Sequence, residues 1–243
     1  MKNIMIKFSI AFIFRGCFLG EYVYGVPVLT NTNMGNIEKY KIIYLTFDDG
    51  PTHTTNDVLD VLEKFDVKAT FFLIGNQIKG NEDIVKRINN EGHTIGLHTY
   101  THKFKKIYST QEAFISEINK TKEEVKRNIG KDINIIRFPW GSRMRHLTPF
   151  LLDELHSKNY KIYDWNIDSK DGIRPKAPPY KLFQKVTKGY KNVNPVILLM
   201  HCSSKNRNTY KALPQIIKFY KDKGYEFRAI DNETPEYYFK LKK

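Results

Sequence analysis

Acidic and histidine residues at two places in the chain have the types and spacing of a metal site. Asp48 and Asp49 are adjacent in the segment Asp-Asp-Gly-Pro, and neighbouring carboxylates repel each other, which favours a cation beside them. His98 and His102 are four residues apart, so on a helical turn both imidazoles would lie on one face and hold one ion. Two histidines and a carboxylate from another strand leave coordination positions open, as in catalytic sites. These ligands favour Zn²⁺ and also suit Co²⁺, Ni²⁺, Fe²⁺ or Mn²⁺.

Simpler interpretations of these residues stay open. Asp-Asp-Gly-Pro is also good turn chemistry, and an isolated histidine is more often structural than catalytic. We interpret four of the other histidines as structural: His53, His93, His146 and His156.

Three further side chains have the chemistry of an active site. Arg137 comes just before Pro139 and Gly141 at the end of a predicted strand, where it can pair with an aspartate and lower the pKa of that carboxyl group. His201 ends an apolar strand and is a candidate general acid. Cys202 is a competing nucleophile, although its surroundings in the sequence carry no pattern that would activate a thiol.

Short β-branched runs alternate with amphipathic stretches from residue 41 onward. The predicted strands are 42–46, 69–73, 94–98, 135–138, 161–165, 196–200 and 226–229, and the predicted helices are 56–65, 81–91, 109–128, 148–158 and 211–223. Residues 174–180 contain three prolines and are predicted to form an irregular loop. Such alternation indicates parallel β/α units, arranged as a barrel or a wound sheet.

Polar clusters follow five of the predicted strands. They are 48–51, 98–102, 137–141, 164–171 and His201. Because the carboxyl ends of parallel strands meet at one rim, we expect these clusters to assemble a single site there.

The composition points to an anionic neighbour. The chain has 243 residues with 40 Lys and Arg against 26 Asp and Glu, a net charge of +14. Nucleic acid, anionic lipid and an acidic wall polymer all fit that charge. Two cysteines, Cys17 and Cys202, exclude a disulfide scaffold and a Cys-rich metal site.

The N-terminus has the outline of an export segment. Lys2 and Lys7 precede an apolar run at 8–14, which Arg15 then interrupts. We expect residues 1–25 to be a signal peptide or an uncleaved N-terminal anchor, 26–40 to be a stem, and 41–243 to be the catalytic domain. The expected location is secreted or associated with the cell envelope, outside the cytoplasm, and the expected state is a monomer.

The ordered motifs resemble those of the polysaccharide deacetylases of carbohydrate esterase family 4, the NodB-homology domain. The resemblance covers about residues 41–231 and is closest to bacterial peptidoglycan N-acetylglucosamine deacetylases. Its five motifs are found at 46–51, 98–102, 137–141, 168–171 and 199–201.

The resemblance implies an α/β fold, a distorted barrel of about seven β/α units, and a role for each motif residue. The implied metal ligands are Asp49, His98 and His102; the catalytic residues are Asp48 as base, Arg137, Asp171 and His201 as acid; and the oxyanion hole and substrate pocket use Trp140, Pro139, Leu199 and Trp165. The implied reaction is metal-dependent removal of N-acetyl groups from cell-wall glycan, with release of acetate.

Departures from the family pattern concern substrate preference more than activity. Leu97, Lys103 and Gly172 stand where Asn, Pro and Trp are common in the family. The glycine at 172 implies that one wall of the substrate groove is either open or rebuilt, with Trp165 or Trp140 as the candidates to compensate. Chitin oligomers, poly-N-acetylglucosamine and acetylated xylan are alternative substrates, and a glycan-binding module is the alternative that is not an enzyme. No nucleic-acid-binding motif accompanies the positive charge, and we therefore expect no nucleic-acid partner.

Overall fold

A computed structural model describes residues 40–143 and 147–239. The interpretations of residues 1–25, of the stem up to residue 39 and of His146 lie outside this range. The strands are β1 (Lys41–Gly50), β2 (Thr70–Leu73), β3 (Thr94–Leu97), β4 (Ile135–Ile136), β5 (Lys161–Ile162), β6 (Ile167–Asp168), β7 (Val196–His201) and β8 (Tyr225–Arg228). The helices are α1 (His53–Lys64), α2 (Glu82–Asn90), α3 (Phe104–Ile107), α4 (Gln111–Ile129), α5 (Pro149–Ser157), α6 (Pro179–Val186) and α7 (Arg207–Asp222).

All strand pairs are parallel, and the sheet runs in the order β5-β4-β3-β2-β1-β7-β6 with β8 paired to β1. The sheet curls into a half-barrel with helices around it, which is the predicted barrel-like α/β fold in a single domain. Parallel strands bring their carboxyl ends to one rim. In the pairing of β1 with β7, Asp48 lies opposite His201, which places two of the polar clusters side by side.

The core between sheet and helices is built from the apolar faces that the sequence periodicity predicts. In α1, Val58, Leu59 and Leu62 are completely buried, and burial of each such side chain contributes about 1.5–3 kcal/mol. The Thr52 side chain accepts a hydrogen bond from the Thr54 N–H and begins this helix directly after the cluster at 48–51. Packing of α1 therefore fixes the position of the chain that leaves the rim.

Each of the seven predicted strands overlaps an observed one, and the differences are local. Strand β6 was not predicted because it lies inside the polar cluster at 164–171 and has no apolar run of its own. Helix α3 was missed because it has only four residues. The predicted loop at 174–180 ends early, since α6 begins at Pro179, a position where proline suits a first helical turn. Among the described residues, no helix is long and apolar enough to cross a lipid bilayer.

Candidate active site

The end of β1 presents its two aspartates to different partners. Asp48 is 2% exposed, and its Oδ1 accepts a hydrogen bond from Arg137 Nη1 at 2.9 Å. Asp49 has a left-handed φ of 68°, and the strand register shifts between Asp48 and Gly50. Asp49 Oδ1 lies 3.4 Å from His102 Nε2 and 3.6 Å from His98 Nε2.

The two histidines meet on an irregular loop, so the helical turn expected for residues 98–102 is wrong. Thr99 and His102 both have positive φ, 65° and 51°, which a helix cannot contain. The two histidine rings are nevertheless close, with 5.0 Å between the ring centroids of His98 and His102. A buried carboxylate, Glu117 of α4, stabilises this loop: its Oε2 accepts hydrogen bonds from the backbone N–H of Tyr100 and Thr101 and from the Thr101 hydroxyl, at 2.6–3.0 Å.

His98 is held in the form that binds metals. Its Nδ1 lies 2.8 Å from the Arg137 carbonyl oxygen; because a carbonyl only accepts, Nδ1 carries the proton and the Nε2 lone pair faces Asp49. Burial and the neighbouring His102 lower the pKa of His98 to about 3. The ring is therefore neutral at physiological pH.

Asp49, His98 and His102 fit a divalent ion. One ligand atom from each lies within 4.8 Å of the other two. Asp49 Oδ1 is buried without a hydrogen-bond partner in the described part of the chain, which is costly unless a cation compensates it. Its distances to the two Nε2 atoms, 3.4 and 3.6 Å, are close to the roughly 3.4 Å that separates two ligands of a tetrahedral zinc ion at about 2.1 Å.

Arg137 fixes Asp48 from beneath the rim. Its guanidinium is fully buried and also donates to the Thr46 hydroxyl and to the carbonyls of Tyr163 and Asp164. Arg137 lowers the pKa of Asp48, as predicted, but does not set the direction of the net shift. Burial raises the pKa of Asp48 and outweighs the opposing charges of Arg137 and His201.

Asp171 holds His201 through both the ring and the backbone. Asp171 Oδ1 lies 2.7 Å from His201 Nδ1, and Oδ2 accepts the His201 backbone N–H at 2.8 Å. Oδ2 also accepts the Thr209 hydroxyl at 2.6 Å. Burial disfavours the charged imidazolium, but the Asp171 carboxylate outweighs it, and the pKa of His201 rises from 6.5 to about 9.

Gly172 lies directly against the His201 ring. A Cβ added at Gly172 would stand 2.5 Å from His201 Cε1 and 2.8 Å from Nε2, closer than any ordinary carbon contact. A side chain at this position would displace the imidazole, so the tryptophan common here in the family has no room in this structure.

A cavity of about 280 Å³ opens over these groups. Its lining includes Trp140, Trp165 and Leu199, whereas Pro139 is buried behind it, with its carbonyl accepting the Tyr108 hydroxyl at 2.9 Å. Trp140 is 49% exposed and has a positive φ of 62°. Within the described residues its backbone N–H donates to no protein acceptor.

Cys202 is not placed to act as a nucleophile. Its side chain is completely buried, and burial raises the pKa of the thiol well above its usual range. The thiol donates to the Asp48 carbonyl at 3.4 Å. The competing nucleophile hypothesis is therefore wrong, because a buried neutral thiol is inert.

Comparison with known proteins agrees with this geometry. The model of the family described as polysaccharide deacetylase matches residues 35–161, which contain the two aspartates, both histidines and Arg137. The chain belongs to the polysaccharide deacetylase family. It is 38% identical over 203 residues to a peptidoglycan-N-acetylglucosamine deacetylase of Bacillus cereus, covering 82% of this chain and 72% of the relative.

Solved structures show that the fold of this deacetylase is that of its relatives. A polysaccharide deacetylase from Bacillus cereus superimposes with a TM-score of 0.73 at 36% identity, over 83% of this chain and 96% of the other. The catalytic domain of a peptidoglycan N-acetylglucosamine deacetylase from Eubacterium rectale gives 0.76 at 30% identity, over 87% and 96%.

Two buried residues that support the site of this deacetylase were not identified from sequence. Glu117 orients the loop that carries His102, and Thr209 orients Asp171. The sequence does carry a signal for Glu117. This residue falls on the apolar face of α4, next to the buried Phe114 and Ile118, where a carboxylate is unexpected unless it has partners. Thr209 carries no comparable signal, because a threonine on a helix is unremarkable.

Proposed function

We propose that this deacetylase hydrolyses the N-acetyl group of N-acetylglucosamine residues in bacterial peptidoglycan and releases acetate. The observation that carries the proposal is the position of a carboxylate, Asp48, and an imidazole, His201, opposite each other on paired strands. Both line the cavity that also holds the candidate metal ligands. A glycan-binding module needs no such pair of proton-transfer groups, and relatives that bear the name of peptidoglycan deacetylases support the substrate.

The candidate ligands are Asp49, His98 and His102. A divalent ion bound there, for which we propose Zn²⁺ with Co²⁺, Ni²⁺, Fe²⁺ or Mn²⁺ as alternatives, supplies polarisation of the acetamide carbonyl and lowers the pKa of an attacking water.

Asp48 acts as the general base in this proposal. Its Oδ1 is bound to Arg137 and its Oδ2 lies 3.7 Å from His98 Nε2, so the carboxylate faces the metal ligands and is held in one orientation. Removal of a proton from the attacking water by such a positioned group contributes about 10²–10⁴-fold to the rate.

The backbone N–H of Trp140 and the His201 imidazole complete the reaction. The Trp140 N–H is available to the developing oxyanion, an interaction worth about 3–4 kcal/mol per donor in comparable hydrolases. His201 donates its proton to the departing amine, because Asp171 keeps the imidazolium form stable. Leu199, Trp140 and Trp165 form the apolar walls beside the acetyl group.

Replacing Asp171 with Asn is expected to move the alkaline limit of activity to lower pH. Protonated His201 is the working acid, so activity falls as the pH rises through the pKa of about 9, and removal of the carboxylate lowers that pKa. The ion pair of His201 with Asp171 also contributes to the free energy of unfolding. This contribution is fully present below about pH 6.5 and is lost as the pH rises through about 9. The pH profile of kcat/KM measures the shift, and an unchanged alkaline limb would contradict the assignment.

Replacing Gly172 with Ala is expected to lower kcat at least about 10-fold with little loss of stability, since the new methyl group displaces the His201 ring from its productive position. Acetate release and the melting temperature are the two measurements. Gly80→Ala is a control for backbone strain alone: a Cβ there meets nothing within 4 Å, but the φ of +85° strains an alanine, so this variant should lose stability and keep its turnover. Normal turnover in Gly172→Ala would show that His201 tolerates displacement.

We also propose that the protein works outside the cytoplasm, where peptidoglycan is found. The basic start and apolar run within residues 1–25 support export. Fractionation of expressing cells, followed by N-terminal sequencing of the mature protein, distinguishes a cleaved signal from an anchor. Protein confined to the cytoplasm with an intact N-terminus would contradict the proposal.

The substrate is tested by acetate release from peptidoglycan, chitin oligomers and acetylated xylan under the same conditions. We expect the highest kcat/KM on peptidoglycan fragments. A higher value on chitin oligomers or xylan would move the substrate to that glycan and leave the hydrolytic chemistry unchanged.

A further inference from the structure

A second cavity adjoins the active-site cavity, and its lining is basic. It has a volume of about 460 Å³, and Lys170 and Ile173 line both cavities. Five cationic side chains surround it, and none of the described residues in its lining is acidic: the cations are Lys170, Arg174, Lys181, Lys185 and Lys188.

Helix α6 and the turn that follows it supply three of these five cations. Its Leu182 and Val186 are buried against the domain, so the opposite side of the helix faces outward. Lys181 and Lys185 are four residues apart and share a face of the helix, and Lys188, two residues beyond the end of the helix, lines the same cavity. The face that borders the cavity is therefore a row of cations.

The charge in this cavity is largely uncompensated. Lys170 is bound to Asp168 at 2.8 Å, whereas Arg174, Lys181, Lys185 and Lys188 form no ion pair within the described chain. Cations gathered in a concave surface focus a positive potential and raise the local concentration of anions. Such an arrangement costs self-repulsion, which a bound anion relieves.

We propose that this basic cavity is an anion subsite, which binds a carboxylate- or phosphate-bearing substituent of the glycan whose acetyl group is removed. The inference rests on the proposed function, because the substituent must belong to the polymer that occupies the active site. Ile173, 76% exposed between the two cavities, offers an apolar surface to a sugar ring that connects them. The shared residues make the two cavities one groove, and a polymer that places a neutral acetamide over Asp48 extends its neighbouring units over α6.

The test compares a triple variant with a control of equal charge. The variant is Lys181→Gln, Lys185→Gln and Lys188→Gln. The control is Lys120→Gln, Lys131→Gln and Lys218→Gln, three exposed lysines that line neither cavity. The probes are a neutral chitin oligomer, a carboxylate-bearing peptidoglycan fragment of the same length, the same fragment with its carboxyl groups amidated, and a phosphorylated oligomer.

At low ionic strength we expect KM for the carboxylate-bearing or the phosphorylated probe to rise roughly ten-fold in the triple variant, equivalent to about 1.4 kcal/mol, with kcat unchanged. The anionic probe with the larger rise identifies the substituent. The neutral and amidated probes should show no change, and neither should the control variant. An equal change for neutral and anionic probes, or no change for any, would overturn the subsite.

Calorimetric binding of the same probes keeps this inference separable from the proposed function. If the unmodified enzyme releases no acetate from any glycan, the proposed function fails. Weaker binding of an anionic probe to the triple variant than to the control would still support the subsite, and equal binding would overturn it.

Discussion

The Asp48→Asn variant is expected to lose about 10²–10⁴-fold in kcat for acetate release while it keeps its metal. Asparagine has the same shape and retains an oxygen that can accept the Arg137 hydrogen bond, but it cannot take a proton from water. The metal ligands Asp49, His98 and His102 are unchanged in this variant. The loss therefore isolates the proton-transfer step from metal binding.

Stability must be followed in the same variant because Arg137 is completely buried. Removal of the charge of one partner leaves the guanidinium less compensated, which costs up to about 3–5 kcal/mol when a buried pair is broken outright. Three remaining acceptors, at Thr46, Tyr163 and Asp164, keep the expected loss below that. Metal content, thermal unfolding and acetate release are measured together, with Asp153→Asn, an exposed aspartate of α5, as control. Unchanged turnover in Asp48→Asn would refute the base assignment.

The His98→Ala variant is expected to lose metal and activity together. Changes in groups that only orient a ligand cost about 10–100-fold in metal affinity, so removal of a ligand should cost more than about 100-fold. His98 also connects the metal site to Arg137 through its Nδ1 hydrogen bond, so the same variant loosens the support of Asp48. Metal content after dialysis and acetate release provide the two readouts.

His156→Gln is the matched control for this experiment. His156 lies outside the cavity and pairs with Glu236 at 3.0 Å, so its loss should leave metal and turnover unchanged. A His98→Ala protein that remains metal-replete and active would rule out His98 as a ligand.

The sequence predicts those parts of the site that depend on strand topology. Asp48, His98, Arg137 and His201 each follow or end a recognisable apolar strand, and parallel pairing alone brings the ends of such strands to one rim. Residues as far apart in the chain as Asp48 and His201 need no further information to become neighbours there. The resemblance of the motifs then assigns each side chain a role that spacing alone leaves open.

Features that arise from packing between distant elements could not be predicted in this way. The four-residue spacing of His98 and His102 suggested a helical turn, yet the hydrogen bonds from the loop to Glu117 hold an irregular backbone instead. The contact of Gly172 with His201 is a tertiary contact that no local pattern encodes. The sign of the pKa shift of Asp48 depends on burial, which outweighs the visible charge of Arg137.

The net charge of +14 is partly explained by the lysines on α6 and just after it. Sequence analysis left that charge open to several anionic partners, and the structure concentrates part of it in a cavity that shares Lys170 and Ile173 with the active site. A basic groove beside a hydrolytic centre suits an acidic polymer that is itself the substrate.

The most direct test of a metal-dependent deacetylase is acetate release from peptidoglycan before chelation, after removal of the metal, and after its return. Our account predicts that activity disappears when the measured metal content falls and returns on addition of Zn²⁺ or another of the proposed ions. Undiminished acetate release from protein shown to contain no metal would contradict it.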